Sequence, residues 1–140
     1  MVICGLVEKP YLCNVMSIIK TRTQRFPAEP KGQAEYHSTL QIQDGSLSFE
    51  GQLDALLEAY SAETSGKVVL LRRFFLSDPA NQAARLETRL AVLPAAATSI
   101  IGQPPLNGTK IAAWVYAVEG GSARTESFPT TDTAIFGRVA

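Results

Sequence analysis

Cysteine, charge and long apolar runs are all scarce in this chain of 140 residues. Its two cysteines, Cys4 and Cys13, have no secretory leader before them, so we expect buried, reduced thiols rather than a disulfide. No apolar run approaches the ~20 residues that a membrane-spanning helix needs. Charged residues make up only 19% and the formal net charge is +0, so the chain lacks the basic cluster that nucleic-acid binding requires. We therefore expect a cytoplasmic protein with neither a nucleic-acid nor a membrane partner.

Histidine is equally scarce, since His37 is the only one. A histidine-based metal site or a serine–histidine–aspartate relay therefore has one candidate at most. The polarity pattern puts His37 on the polar side of a strand, which favours a solvated surface residue. Zinc bound by His37 with Cys4 and Cys13 is disfavoured, because the two cysteines are not a close pair. We expect no metal and no other cofactor, and we assign no catalytic residue.

Apolar residues are plentiful, at 46% of the chain, which is enough for a core of ordinary size. We expect a single domain over residues 1–140, within which residues 1–34 and 122–140 are the hardest segments to interpret. The tail is polar and loop-like over residues 122–132, and residues 133–140 form either one more short strand or an unpaired end. The low charge also hints that some apolar surface is hidden by self-association.

The first part of the chain reads as strand, loop and strand. Residues 14–21 have the β-branched enrichment of a strand, and residues 26–33 hold two prolines and a glycine, as a loop does. Residues 35–43 alternate in polarity, which predicts a half-buried strand. One face of that strand takes Tyr36, Ser38, Leu40 and Ile42, and the other takes His37, Thr39, Gln41 and Gln43.

Two amphipathic helices follow the second strand. An apolar stripe predicts the first over residues 48–63, with Ser48 as its N-cap and Gly66 in a left-handed conformation beyond its end. The stripe consists of Phe49, Leu53, Leu56, Leu57 and Tyr60. The second helix is predicted over residues 79–92, because Asp78-Pro79 supplies a capping acceptor and then a residue with no N–H. Its apolar face carries Ala83, Leu86, Leu90 and Leu93, and its solvated side carries Arg85 and Arg89.

Three further strands are predicted. Residues 67–76, KVVLLRRFFL, are apolar on both faces, which indicates a strand inside the sheet and not at its edge. Residues 98–103 and 109–119 read as the two strands of a hairpin, since Asn107-Gly108 between them suits a tight turn. Pro104-Pro105 cannot donate to a strand ladder, so pairing should loosen just before that turn.

Two adjacent arginines within residues 67–76 invite two interpretations. Arg72 and Arg73 must point to opposite faces of the strand, so one of them faces a helix layer or a subunit contact. The first interpretation is a charge at the wet end of the strand, paired with a carboxylate such as Glu58 or Glu63. The second is an arginine that binds the carboxylate of a ligand, because the guanidinium fork fits that group.

The last two strands offer the remaining candidates for binding. Thr98 and Ser99 open a strand with two hydroxyls, which bond either the backbone and water or a ligand. Trp114 and Tyr116 share one face of the final strand, with Val115 on the other. Such an aromatic pair is more typical of a core or a subunit interface than of a platform for stacking bases.

Two segments resemble the RidA/YjgF (reactive intermediate deaminase, endoribonuclease L-PSP) family. LLRRFFLSDPANQAARLETRL is similar to the family's strand and second helix, and ATSIIGQPPLNGTKIAAWVYAVE is similar to its closing hairpin. The likeness extends over roughly residues 36–118. It implies a homotrimer with a barrel-like core of three sheets, with helices outside and ligand clefts between subunits. In that case the ligand-binding positions are Thr98, Ser99 and Ala112, and the ligand is a small carboxylate metabolite.

The chain departs from the family at both catalytic positions. Active deaminases carry an arginine before the serine that matches Ser99, and Thr98 stands there in this sequence. Their glutamate after Lys-Ile falls on Ala112. A hydroxyl can hydrogen-bond a ligand, but it cannot neutralise a carboxylate or hold the charge that develops on an imine.

These patterns predict an α+β fold, with a mixed sheet of about five or six strands and two helices packed on one face. Three functions remain open. The first is a non-catalytic RidA-like homotrimer that binds a small metabolite or a partner between its subunits. The second is an imine or enamine deaminase with a rearranged site. The third is the RidA-like part of a larger protein of the chorismatase type.

Overall fold

The computed structural model describes residues 18–27, 34–119, 125–129 and 135–139. The chain runs, in order, through the elements β1 (Ile19–Phe26), β2 (Glu35–Ile42), α1 (Phe49–Glu63), β3 (Lys67–Leu76), α2 (Pro79–Leu90), β4 (Ala97–Ile101) and β5 (Ile111–Glu119). β6 (Thr125–Pro129) and β7 (Ile135–Val139) then pair with each other as a second, two-stranded antiparallel sheet.

The main sheet has five strands in the order β1-β2-β5-β3-β4. The pairs β1–β2, β2–β5 and β5–β3 are antiparallel, whereas β3 and β4 are parallel. α1 connects β2 to β3 and α2 connects β3 to β4, and both helices contribute to one hydrophobic core on the same face of the sheet. The predicted α+β fold, with a mixed sheet and two helices on one face, is confirmed. β3 lies inside the sheet, as its two apolar faces predicted.

The core lies between the helices and the sheet. Its fully buried side chains come from both layers and include Leu40, Ile42, Leu53, Leu56, Phe74, Leu76, Leu86 and Ile111. Burial of one such side chain stabilises a fold by roughly 1.5–3 kcal/mol, so this face supplies most of the hydrophobic stabilisation. The alternation predicted for residues 35–43 is confirmed, because Leu40 and Ile42 are buried on the helix side of β2.

The predicted side-chain N-cap is present at the start of α1 and absent at the start of α2. The Ser48 hydroxyl accepts a hydrogen bond from the Gly51 N–H at 3.2 Å, so this N-cap is confirmed. The Asp78 carboxylate caps no backbone N–H, and the expected side-chain cap is wrong. Its Oδ2 instead accepts from the Asn81 amide at 2.6 Å, which competes for the same acceptor.

The helix ends largely follow the sequence. Gly66 adopts a φ of 75°, the left-handed conformation predicted after α1, which a residue without a Cβ reaches without strain. α2 ends at Leu90, two residues before the predicted end. Arg85 and Arg89 lie at the surface as expected, and their Nη1 atoms approach carboxylates of α1, those of Glu50 at 3.2 Å and Asp54 at 2.6 Å.

The predicted hairpin of residues 98–103 and 109–119 is wrong. β4 pairs in parallel with β3, and β5 lies on the other side of β3. The connecting loop must therefore cross the end of β3, a span of two strand spacings or about 10 Å, which a two-residue turn cannot bridge. Asn107 and Gly108 belong to this loop, and the left-handed φ of 80° at Gly108 is used there. Strand pairing ends at Ile101, before Pro104 and Pro105.

Two further predictions change, and one is confirmed. β1 extends to Phe26 and so includes the start of the predicted loop over residues 26–33. Residues 125–129 form β6 where a loop was expected, while β7 confirms the alternative of a further strand near the end of the chain. The cysteines Cys4 and Cys13, residues 14–17 of the first predicted strand and residues 28–33 of the predicted loop lie outside the described residues.

Candidate functional site

The sheet surface opposite the helices, here called the open face, is not covered by either described helix. Strand register places five side chains in one row across it, in the order Arg22, Thr39, Trp114, Arg73 and Ser99. Large side chains in neighbouring rows, including Leu71, Phe75, Ile101 and Tyr116, are only half-buried. A sheet usually buries its apolar face against another layer. The open face is therefore the surface of this fold that is best suited to binding.

Trp114 stands between two hollows on the open face. The first, of about 330 Å³, lies under the loop between β4 and β5 and is lined largely by apolar groups of Phe75, Pro104, Pro105, Leu106, Ala112 and Trp114. The second, of about 620 Å³, opens toward β1 and is lined mainly by Arg22, Gln24, Phe26, His37 and Trp114. Thr39 lines both hollows, beside the indole ring.

The loop above the first hollow is held in place by Asn107. Its Nδ2 donates to the carbonyl oxygen of Ile42 at 2.8 Å, and its Oδ1 accepts from the Thr109 hydroxyl at 2.6 Å. The Oε1 of the fully buried Gln52 also accepts from the Lys110 N–H at 2.8 Å, which ties the end of the loop to α1. The loop over this hollow is thus fixed at both ends by partly buried hydrogen bonds.

Aromatic rings crowd the β1 side of the open face around His37. Its ring stacks on Tyr116 with centroids 4.8 Å apart and lies 5.8 Å from Trp114, while Phe26 meets it edge-on at 5.3 Å. His37 lies on the polar side of β2, as predicted, but cross-strand neighbours half-bury its ring, so it is less solvated than expected. Trp114 and Tyr116 do share one face of β5, as predicted, and Val115 is buried on the other.

Tyr116 also carries a polar contact to the start of β2. Its hydroxyl donates to the Glu35 carboxylate at 2.7 Å. This hydrogen bond, together with partial burial, raises the pKa of Tyr116 above its usual value of 10.0. Because Glu35 is exposed, this hydrogen bond lies at the solvent-facing edge of the aromatic cluster.

Arg73 lies next to Trp114 in the same row, with its Cζ 5.7 Å from the centre of the indole ring. A guanidinium in this position gains a cation–π attraction. Its Nε is buried and has no hydrogen-bond partner within the described part of the chain. Ser99 is its register neighbour on β4.

Arg72 faces the opposite way and is 4% exposed beneath the helices. Its Nε donates to the Thr98 hydroxyl at 2.8 Å, and its Nη1 donates to the Tyr60 hydroxyl at 3.1 Å and to the Pro94 carbonyl at 3.3 Å. The two arginines thus face opposite sides, as predicted. The proposed pairing with Glu58 or Glu63 is wrong, because neutral oxygens of α1 and of the segment after α2 lie closer to the buried guanidinium.

The three predicted ligand-binding positions are not brought together. Thr98 lies on the helix side of β4, where its hydroxyl accepts from Arg72 and donates to the Ala96 carbonyl at 2.9 Å. Ser99 and Ala112 both lie on the open face, but β3 separates their strands. Ala112 lines the first hollow, and Ser99 adjoins Arg73. A role for these residues in ligand binding stays a prediction.

A second polar cluster lies on the helix side, where β1, β2 and β5 meet. The Tyr36 hydroxyl donates to the Glu119 carboxylate at 3.0 Å, and the Arg25 Nη2 approaches the same oxygen at 3.4 Å. The tyrosine bond and then the arginine bond lower the pKa of Glu119 below its usual value of 4.5. The pKa of Arg25 is raised in turn, mainly by its hydrogen bond to Tyr36.

Several residues of the open face were not identified from the sequence. Arg22 and Phe26 belong to it because β1 pairs with β2 over the whole length of both strands. The sequence prediction ended the first strand at residue 21 and began a loop at residue 26. Residues 22–25 between them are all polar, so no apolar alternation marked the continuation of the strand. Within the described residues, no group of three or more metal-ligating side chains is placed to hold an ion, and no helix is long and apolar enough to cross a membrane.

Comparisons with known proteins find only distant likeness, and only among solved structures. No family model matches the chain, and no curated protein matches it. Among solved structures, the chain is similar to a proposed translation initiation inhibitor from Salmonella typhimurium, with 18% sequence identity and a TM-score of 0.46. The match covers 68% of this chain and 96% of the other. A likeness of that strength assigns neither a family nor a function to this chain.

Proposed function

We propose that this chain is a RidA/YjgF-like protein without deaminase activity, which self-associates as a homotrimer and binds a small carboxylate metabolite or a partner in clefts between its subunits. The observation that carries the proposal is the open face. Its half-buried Leu71, Phe75, Trp114 and Tyr116 lie on the five-stranded sheet, yet neither described helix packs over them. A large apolar surface of this kind marks an interaction site.

A second copy of the chain is the occupant that best suits this surface. The helices already cover the other face, so association through the open face buries the sheet on both sides, as in layered domains. Identical chains usually assemble with closed symmetry, and a closed ring of three forms when one part of the open face meets a different part of the neighbouring copy. The resemblance of residues 36–118 to the family supports three copies as the number.

The absence of deaminase activity rests on the two family positions. Thr98 uses its hydroxyl on Arg72 and Ala96, and it faces away from the hollows. Ala112 lines the first hollow but has only a methyl group to offer. Imine hydrolysis needs a group that anchors the substrate and one that transfers a proton, and neither position supplies it.

Native mass spectrometry tests the assembly directly. We expect a trimer for the wild type and monomer for Leu71→Glu, which puts a charge into the centre of the open face. The matched control is Glu87→Arg on the exposed side of α2, which should leave the trimer intact. Circular dichroism of Leu71→Glu must show a folded chain. A wild type that stays monomeric at micromolar concentration refutes the proposed assembly.

An assay with a 2-aminoacrylate-type imine tests the second part. We expect hydrolysis at the background rate. A clear rate enhancement that is lost on substitution of a residue in either hollow would establish the rearranged deaminase instead.

A further inference from the structure

We propose that Arg73 is the anchor of a carboxylate-binding site on the open face, with the first hollow receiving the apolar body of the ligand. This proposal rests on the metabolite-binding role proposed above, and it names the residue that binds the carboxylate. Arg73 matches neither Thr98 nor Ala112, the two positions at which active members of the family carry their catalytic residues.

The first argument is the unsatisfied guanidinium. The Nε of Arg73 is buried without an acceptor, and no other hydrogen bond holds the side chain within the described residues. A buried donor left unpaired is unfavourable, so an acceptor that reaches it is strongly bound. Because no hydrogen bond fixes the end of the side chain, it can turn its fork outward without breaking one. A planar carboxylate matches that fork with two parallel hydrogen bonds.

The second argument is the charge of the open face. Register places Lys20, Arg22 and Arg73 on it, whereas Glu35 is its only acidic residue among the described strands β1 to β5. The chain as a whole has a formal net charge of +0, so positive charge is concentrated on this surface. Glu35 already accepts from Tyr116 and lies at the far end of the sheet from Phe75. An anion is therefore the ligand that this face attracts.

The third argument is the hollow next to the arginine. Phe75 follows Arg73 by two residues on the same face of β3, a step of about 7 Å along the strand. Phe75 and Trp114 line the first hollow, of about 330 Å³, together with the ring carbons of Pro104 and Pro105. Cavities of that size hold small organic molecules. A ligand with its carboxylate on Arg73 can thus lay a short apolar or aromatic body against Phe75 and Trp114.

The chain carries its own probe for this site, because Trp114 is the only tryptophan. We would titrate the protein with benzoate, excite the indole and follow its emission, with benzyl alcohol as the uncharged counterpart. We expect a saturable change with benzoate and none with benzyl alcohol. A collisional effect would instead rise linearly with concentration.

Three variants decide the role of the arginine. Arg73→Gln should weaken benzoate binding about tenfold or more, since a charge-assisted pair is lost, and Arg73→Lys should restore part of it. Arg22→Gln is the matched control, because it removes the same charge from the same row on the other side of Trp114. It should leave the affinity within about twofold. Equal losses in Arg73→Gln and Arg22→Gln, or no saturable change in the wild type, would overturn the proposal.

The same samples separate this inference from the proposed assembly. Native mass spectra reveal the number of copies with and without benzoate. Saturable, Arg73-dependent binding to a monomer would retain the site and refute the trimer. A trimer that shows no saturable response would retain the assembly and refute the site.

Discussion

The Nε of Arg72 donates a hydrogen bond to the Oγ1 of Thr98 at 2.8 Å. This bond ties β3 to β4 on the helix side, and the Nη1 of the same guanidinium extends the connection to Tyr60 of α1 and to the Pro94 carbonyl. A single buried cation thus holds four parts of the fold together through neutral oxygens. Its side chain also occupies a place in the interior that periodicity alone would give to an apolar residue.

Replacement of Arg72 by methionine should lower the free energy of unfolding by about 1–3 kcal/mol, because the Tyr60 hydroxyl is left buried without its partner. In the double variant with Tyr60→Phe, part of that loss should be recovered, since both ends of the bond are then apolar. Urea denaturation of the two single variants and the double measures the coupling. Losses that simply add would show that the Arg72–Tyr60 bond contributes little.

An arginine introduced at position 98 should be poorly tolerated. Thr98→Arg removes the acceptor of Arg72 and brings a second guanidinium beside it, so we expect a loss of about 1–3 kcal/mol. Ala112→Glu should not relieve the loss, because residue 112 lies on the opposite face of the sheet. Thr88→Arg is the matched control, because Thr88 is exposed on α2 and its hydroxyl bonds the Ala84 carbonyl of the same helix, and it should melt close to the wild type. A Thr98→Arg protein as stable as Thr88→Arg would contradict this arrangement.

The carboxylate of Glu119 gives a pH-dependent prediction. Its pKa is lowered in the folded chain, first by Tyr36 and then by Arg25, relative to the usual 4.5. Its contribution to stability is therefore present above the unfolded pKa and is lost as the pH falls through the lower, folded value. Tyr36→Phe should raise the pKa of Glu119 toward the usual value, and by more than Arg25→Met does. Carbon-detected NMR titration of the glutamate carboxyls checks both shifts, and the reverse order would assign the larger effect to Arg25.

Gly102, directly after β4, should not accept a side chain. A Cβ built there would lie 2.8 Å from the Cγ of Pro79, the first residue of α2, and a proline ring has little room to move. We expect Gly102→Ala to cost about 1–3 kcal/mol through this overlap. Gly45→Ala is the matched control, since its nearest contact is 3.8 Å away. Thermal melts compare the two, and equal midpoints would show that α2 shifts without cost.

Local pattern was sufficient for most elements and insufficient for their pairing. The stripe of α1, the alternation of β2 and the doubly apolar β3 each reflect burial that a short window of sequence records. The pairing partner of β4 cannot be read from the local sequence. Asn107-Gly108 favours a hairpin of β4 with β5, but β4 pairs in parallel with β3 instead. Asp78 likewise gave a sound local cap signal, but Asn81 one turn later engages its carboxylate.

Only part of the candidate site could be predicted, because local pattern gives the face of each side chain but not the neighbouring strand. The common face of Trp114 and Tyr116 follows from the two-residue period of a strand. The approach of His37 and Arg73 to these rings depends on which strands flank β5, and the approach of Phe26 to His37 depends on which strand flanks β2. No residue of β5 records either. The partner of the Thr98 hydroxyl could not be predicted from the local sequence either. That partner is Arg72, which is brought next to Thr98 by the register of β3 and β4.

The position of β5 constrains how the chain can fold. It is the last of the five strands to be synthesised, yet it lies in the middle of the sheet, with Leu40 on one side and Phe74 on the other both paired to Ala113. Until β5 arrives, β2 and β3 have no strand between them, and the sheet stays in two halves, one with β1 and β2 and the other with β3 and β4. Contacts so distant in sequence slow folding and lengthen the time during which unpaired edges are exposed. A nascent chain that stops before residue 111 would therefore expose the unpaired edges of β2 and β3. We expect such a chain to need a chaperone to prevent aggregation until β5 has been synthesised.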